Sequence, residues 1–326
     1  MSVNLTVSAA PHIRSNGSTR NVMLDVLIAL VPAIIAGVVL FGLRALTLVL
    51  VSAAACVVFE ALFCLVTRHS LTVGDLSAVV TGVLLALCVP DGCPYWALIV
   101  GDAFAIIVVK GLVGGLGQNI FNPALGGRAF MMLFWPATLT RAGSAVKLDA
   151  FAFGSVDFVA SATPMQDMSR GALPDLGLVD MLLGRHGGTI GEVCILALLI
   201  GLVWLLARRV ISWRIPAAYM GTLAVLSLVF YKGDSALMWM LYSVMGGGAM
   251  LGAIFMATDY ATSPVLPKAQ IVYGIGCGAL TVLFRYNGNF PEGVTYAILI
   301  MNALAWALDR ALPVRRFGVM KGGAGK

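Results

Sequence analysis

The chain has 326 residues, of which 60% are hydrophobic and only 11% charged, and its mean hydropathy is +0.96. Such a chain has too little polar surface to cover its apolar side chains in water, which excludes a soluble globular protein and points to an integral membrane protein that is all-α. The net charge of +6 comes without a basic stripe interleaved with aromatic residues, so nucleic acid is not an expected partner and the basic residues are read as markers of cytoplasmic loops.

Residues 1–21 read as a cytoplasmic segment carrying Pro11, His12, Arg14 and Arg20. The apolar run that follows reaches Leu40 without a small-residue cleavage site, which predicts a helix rather than a signal peptide. A bilayer core takes about 20 apolar residues per helix, and the pattern predicts about ten such runs. Five fall at about 22–40, 45–66, 72–89, 95–113 and 124–138, within a first unit at 22–138. A polar loop at 139–189 follows. Five more runs, at about 190–207, 215–231, 236–257, 269–285 and 293–310, make a second unit at 190–310, and 311–326 is a tail.

With the amino terminus inside, thirteen bases (Arg14, Arg20, Arg68, Lys110, Arg208, Arg209, Arg214, Lys268, Arg310, Arg315, Arg316, Lys321 and Lys326) collect on the cytoplasmic side. The short outer loops hold only Arg44, Lys232 and Arg285. By the positive-inside rule both termini are expected to be cytoplasmic and the loop at 139–189 to face outward. An odd number of helices per unit inverts the second unit, and matching breaks support two inverted five-helix repeats. Gly117-Gln-Asn-Ile-Phe-Asn-Pro123 answers to Asn287-Gly-Asn-Phe-Pro291, and Val89-Pro-Asp-Gly-Cys-Pro94 to Ala257-Thr-Asp-Tyr-Ala-Thr-Ser-Pro264.

Several residues in this frame can carry chemistry. In the glycine-rich stretch 110–130, the amides of Gln118, Asn119 and Asn122 can donate to and accept from the polar edge of a flavin, and they can equally cap the helices they flank. Arg128 falls inside an apolar run, where an unpaired charge costs about 2.5 to 3.5 kcal/mol, so it is expected to face protein, ligand or water, with Asp259 as its acidic counterpart in the second unit. Asp25, Glu60 and Asp102 also lie in or near spans and are candidates for a cation path. Cysteines 56, 64, 88, 93, 194 and 277 form no metal pattern, and only Cys88 and Cys93 flank a common turn across which they could meet. In the long loop, Thr163 is a hydroxyl flanked by Ser161, Ala162 and Pro164, with Asp157 six residues earlier; it is a candidate flavin acceptor or an ordinary turn residue.

Pro11-His-Ile-Arg-Ser15, Gly114-Gly-Leu-Gly-Gln-Asn-Ile-Phe-Asn-Pro123, Ala160-Ser-Ala-Thr-Pro164, Thr258-Asp-Tyr-Ala-Thr-Ser-Pro264 and Gly288-Asn-Phe-Pro-Glu-Gly-Val294 together resemble the RnfD component of the Rnf ion-translocating oxidoreductases, almost end to end. The homologous NqrB component of sodium-translocating NADH:quinone reductase shares these motifs but usually begins with a longer extension. The resemblance implies that a flavin transferase joins FMN through its phosphate to the threonine of a D-x-x-S/T-G-A-S/T signature, which aligns here with Asp157, Ala160, Ser161, Ala162 and Thr163. Ala160 and Ser161 depart from the usual hydroxyl and glycine.

The resemblance further implies a noncovalent riboflavin, for which Asn119 and Asn122 are the expected contacts, with Arg128 and Asp259 as further cofactor-binding candidates. It implies a place in the bacterial inner membrane, a relay of electrons between ferredoxin and NAD coupled to sodium or proton movement, and the Rnf components A, B, C, E and G as partners. The chain itself shows no nicotinamide fingerprint or iron–sulfur cysteine set. The rival reading is a channel or secondary transporter without redox function, since paired broken helices also mark transporters; a structural anchor is a third.

Overall fold

Apolar runs of this chain fold as helix, several of them are interrupted at a Pro or Gly, and the interruptions prove as important as the helices. A computed structural model describes residues 18–68, 72–139, 163–287 and 293–312, and these residues form helices and turns with no strand among them. The expected break at 288–291, the loop from 140 to 162, the first seventeen residues and the tail from 313 lie outside the described residues.

Helix α1 (Thr19–Phe41) starts at Ser18, whose hydroxyl accepts from Asn21 N, and stops at Gly42, where φ is +79°. Helix α2 (Leu43–Thr67) returns at once. Helix α3 (Ser77–Leu87) lies against α2, and α4 (Tyr95–Ala103) runs without a break into a π-helical stretch, Phe104–Gly111. Helices α5 (Pro123–Phe134) and α6 (Pro136–Leu139) complete the first part. In the second part, α7 (Pro164–Ser169) and α8 (Leu178–Leu183) are short, and α9 (Ile195–Ala207), α10 (Arg214–Val229) and α11 (Ala236–Met245) follow. Then α12 (Ala249–Leu251) passes into a second π-helical stretch, Gly252–Met256, before α13 (Pro267–Asn287) and α14 (Val294–Ala311).

The expectation of about ten spans in two inverted five-helix repeats is overturned. Among the described residues three helices, α1, α2 and α13, are long and apolar enough to cross a membrane, or four if α11 and α12 with its π-helical extension, bent by 58°, count as one broken span. The physical reason is interruption. The run at 72–89 yields only eleven helical residues in α3, about 17 Å at 1.5 Å per residue against a core of about 30 Å. Trp135 precedes Pro136 and leaves the helical region (φ −137°, ψ 60°), which separates α6 from α5. Gly246, Gly247 and Gly248 divide the run at 236–257. Helix α14 has 18 residues but carries Asn302, Asp309 and Arg310, and it falls short on hydropathy.

The run expected from 190 does not begin as helix either. Gly184, at φ +83°, turns the chain inward, and Ile190 N then donates to Val89 O (3.1 Å) and Gly191 N to Leu87 O (2.8 Å). These bonds satisfy carbonyls left open at the end of α3 and bury His186, Thr189, Ile190, Glu192 and Val193.

Helices approach closely where side chains are missing. A Cβ on Gly274 or Gly278 of α13 would stand 2.9 Å from Ile215 O or 2.8 Å from Tyr219 O of α10, the small-residue packing by which membrane helices associate. Across that contact the hydroxyls of Tyr219 and Thr281 bond at 2.7 Å. Cys88 and Cys93 do not pair: none of the six cysteines is in a disulfide, Cys88 Sγ faces Met256 Sδ at 4.0 Å, and Cys93 Sγ faces Pro94 O at 3.7 Å.

This packing can be tested at two positions. A Cβ on Gly82 would lie 2.6 Å from Ser52 O, so Gly82→Val should separate α2 from α3 and cost about 1–3 kcal/mol, read as a lower thermal midpoint in detergent. Burial holds His186 below its ordinary range, against the opposing bond from Nδ1 to Gly187 O (3.0 Å). Below about pH 6.5 the unfolded chain therefore binds a proton that the folded chain refuses, and stability falls as pH drops through that window. His186→Gln should flatten the acid limb of the stability profile; an unchanged limb would assign it to other groups.

Candidate functional site

The glycine-rich stretch folds as sequence chemistry requires. Gly114, Gly115 and Gly117 take φ of +121°, +90° and +87°, a region open to glycine and strained for other residues. The chain then enters α5 through Asn122, whose Oδ1 accepts from Ala124 N (3.0 Å) and Leu125 N (3.3 Å), with Pro123 in the first turn. The capping role and a wall role coincide here, because Asn122 Nδ2 also donates to Met256 O at 3.2 Å. With its amide oriented to satisfy both ends, Asn302 of α14 accepts from Asn122 N (3.1 Å) and donates to Tyr273 Oη (2.6 Å) and Ile298 O (3.3 Å). One side chain thereby joins α5, α13 and α14.

Beside this junction lies a pocket enclosing about 730 Å³, counting its open mouth. Asn119, Asn122, Thr258, Asp259 and Tyr260 supply polar groups to its wall, and Val80, Leu84, Ile254 and Phe255 supply apolar ones. Asn119 is buried and its Oδ1 has no partner among the described residues. Asp259 closes its own turn, accepting from Ala261 N (3.4 Å) and Thr262 Oγ1 (3.2 Å). Desolvation raises its carboxyl above the usual range, opposed by those two bonds. Three of the predicted site residues, Asn119, Asn122 and Asp259, thus come together. Arg128 is buried in α5 off this wall.

Thr163 stands elsewhere. It is the N-cap residue of α7, extended at φ −74° and ψ 146°, and its side chain makes no capping bond. Asp157, Ala160, Ser161 and Ala162 lie outside the described residues.

Sequence reasoning missed the charged centre of the first part. Lys110, read as a cytoplasmic loop base, is buried at the end of the first π-helical stretch. Its Nζ donates to Glu60 Oε1 (2.5 Å) and Ser77 Oγ (2.6 Å), and Thr72 Oγ1 donates to the same Glu60 oxygen (2.9 Å). Lys110 borders the first pocket and also a second opening of about 950 Å³ counting its mouth, lined by Glu60, Phe63, Thr72 and Gln118. Opposite charges in two apolar runs, the second and the fourth, were the available signal. The other two acids considered for ion movement are also engaged. Asp102 is fully buried and accepts from Ser52 Oγ (2.6 Å) and Cys56 Sγ (3.3 Å), and Asp25 accepts from Arg208 Nε (3.1 Å).

Breaking a buried pair by removing one partner costs about 3–5 kcal/mol, whereas replacing both with apolar residues is often neutral. Glu60→Leu or Lys110→Met alone should therefore lower stability by about that amount, and the two together should recover most of it in a double-mutant cycle in micelles. Additive losses in the double variant would show that the two side chains do not act as a pair.

Comparison with known proteins agrees along nearly the whole chain. Residues 6–318 match the NQR2, RnfD, RnfE family. Over 322 residues the chain is 43% identical to the D component of the Na⁺-translocating ferredoxin:NAD⁺ oxidoreductase complex of Acetobacterium woodii, covering 98% of this chain and 97% of that one. It is 38% identical over 335 residues to the D component of the proton-translocating ferredoxin:NAD⁺ oxidoreductase complex of Clostridium ljungdahlii, 97% of each. It is 36% identical over 327 residues to the D component of the ion-translocating oxidoreductase complex of Stutzerimonas stutzeri, 92% of each. With most of its length matched by the family and by these relatives, the chain belongs to the NQR2, RnfD, RnfE family.

Proposed function

We propose that the chain is the membrane-embedded, electron-carrying component of an ion-translocating ferredoxin:NAD oxidoreductase, with FMN joined to Thr163 by a phosphoester and riboflavin held noncovalently in the pocket beside Asn119 and Asn122. The observation that carries this reading is the 43% identity, over 98% of the chain, to the D component of such a complex. Family membership makes the chain part of a multisubunit translocase of the bacterial inner membrane. One relative is named for sodium and another for protons, so the proposal is ion coupling as such. The Rnf components A, B, C, E and G would supply the nicotinamide and iron–sulfur chemistry, a transferase would attach the FMN outside the membrane, and both termini would lie in the cytoplasm.

The residues present fit these groups. A hydroxyl that does not cap its own helix, as at Thr163, keeps its oxygen available for a phosphoryl bond. Asn119 Oδ1 is a buried acceptor without a partner among the described residues, and an N–H on the edge of a planar ring would satisfy it. Asn122 fixes the wall by holding α5 to Met256 O and still has one amide N–H to offer. Lys110 brings a buried positive charge to the same pocket. A bound flavin would supply the redox chemistry, while these side chains position it and tune its electronics.

Co-expression with a flavin transferase tests the reading. An FMN-sized mass shift is expected on the peptide containing Thr163, lost in Thr163→Ala and kept in Thr163→Ser. Asn119→Leu should release the noncovalent flavin and leave the covalent one in place. An unmodified Thr163 peptide beside a transferase active on another substrate overturns the covalent assignment, and unchanged flavin stoichiometry in Asn119→Leu overturns the noncovalent one.

A further inference from the structure

Helices α2 and α3 and the stretch of α4 with its π-helical continuation meet twice, once at Glu60, Ser77 and Lys110 and again at Ser52, Gly82 and Asp102. The first cluster is an ion pair; the second holds one acid and no base. We propose that Asp102 is an occluded proton-binding site, whose carboxyl keeps its proton at neutral pH, and that this proton seats α4 against α2 and α3.

The hydrogen count carries the inference. Ser52 Oγ stands 2.6 Å from Asp102 Oδ1 and 2.8 Å from Gly82 O, both hydrogen-bonding distances. A hydroxyl has one hydrogen to give. With Asp102 ionised, Ser52 satisfies one of these oxygens and faces the other lone pair to lone pair. A proton on Oδ1 removes the conflict, because Asp102 then donates to Ser52 Oγ and Ser52 donates to Gly82 O. Oδ1 still accepts from the Cys56 thiol at 3.3 Å. The bond to Gly82 O falls where α2 and α3 nearly touch, since a Cβ on Gly82 would lie 2.6 Å from Ser52 O.

The surroundings favour the neutral acid. Asp102 and Ser52 are fully buried, and Asp102 Oδ2 has no partner among the described residues. An ionised group would leave that oxygen charged and unsolvated, whereas the acid leaves only a carbonyl oxygen there. Among the described residues no ion pair includes Asp102. The elements packed against it carry Arg44, Cys56, Glu60 and Cys64 on α2, Lys110 on the π-helical stretch, Arg128 on α5 and no titratable group on α3. Of these only Cys56 touches Asp102, and Lys110 is held by Glu60 and Ser77. Asp102 lines neither of the two large cavities, which makes the site occluded.

The experiment follows reversible unfolding of the full chain in micelles across pH. An aspartate of the unfolded chain ionises at about pH 3.9, so above that range folding takes up one proton at Asp102 and stability falls as pH rises. The unfolding constant of the wild type, divided by that of Asp102→Asn at the same pH, should therefore rise about tenfold per unit between about pH 5 and 7. Asp102→Asn should fold, because its amide N–H donates to Ser52 Oγ in place of the acid. In the infrared at neutral pH, the carbonyl stretch of a protonated carboxylic acid should be present in the wild type and weaker in Asp102→Asn. A ratio that does not change with pH, or spectra that differ only in the carboxylate bands, overturns the proposal. An Asp102→Asn chain that cannot fold overturns it as well, since the amide supplies the same donor.

Discussion

Inside a bilayer no water completes the hydrogen bonds of a helix that stops short, so every broken end must find its partner within the protein. This chain stops its helices often, and the rest of its structure follows from how those ends are closed. Asn122 covers Met256 O and the first amides of α5, and Asn302 covers Asn122 N. The backbone of Ile190 and Gly191 covers the end of α3, and Arg285 covers the end of α11. Each closure ties together segments far apart in sequence, so the breaks act as cross-links.

The same closures locate the pockets. A helix end brings polar backbone and polar side chains into an apolar interior, and a cavity beside it acquires hydrogen-bonding groups without further burial of charge. The Asn119 pocket lies where α5 begins and the second π-helical stretch ends. A small cavity lined by Met165, Trp239, Arg285 and Tyr286 lies where α11 ends and Arg285 reaches across. Two chemically different cavities, one lined by amides and one by aromatic rings and basic side chains, thus arise from one structural habit.

Much of this was legible in the residues. Hydropathy located α1, α2 and α13 to within a few residues, and α1 continues unbroken through Pro32. Pro123 after Asn122 announced a helix start, and the motif around Asp259 announced a stop. Hydropathy could not register that an apolar run of twenty residues can hold only a half-length helix. The five residues from Ile190 to Cys194 could have opened a helix, yet the first two of their backbone amides are drawn to the end of α3, a partner a hundred residues away. Lys110 was misplaced for a related reason: its charge suggested water, whereas Glu60 was waiting on another helix.

The π-helical turn before Lys110 has a consequence for how this region tolerates change. A π-turn bonds residue i to i+5, which amounts to one extra residue inserted into an α-helical ladder, and the stretch Phe104–Gly111 therefore sets the angular phase of everything after it. Deleting a single residue anywhere between Phe104 and Val109 would let the ladder relax to ordinary α geometry and swing the ammonium group away from Glu60. The register of one helical turn, rather than the identity of any one side chain, is what brings the two charges face to face.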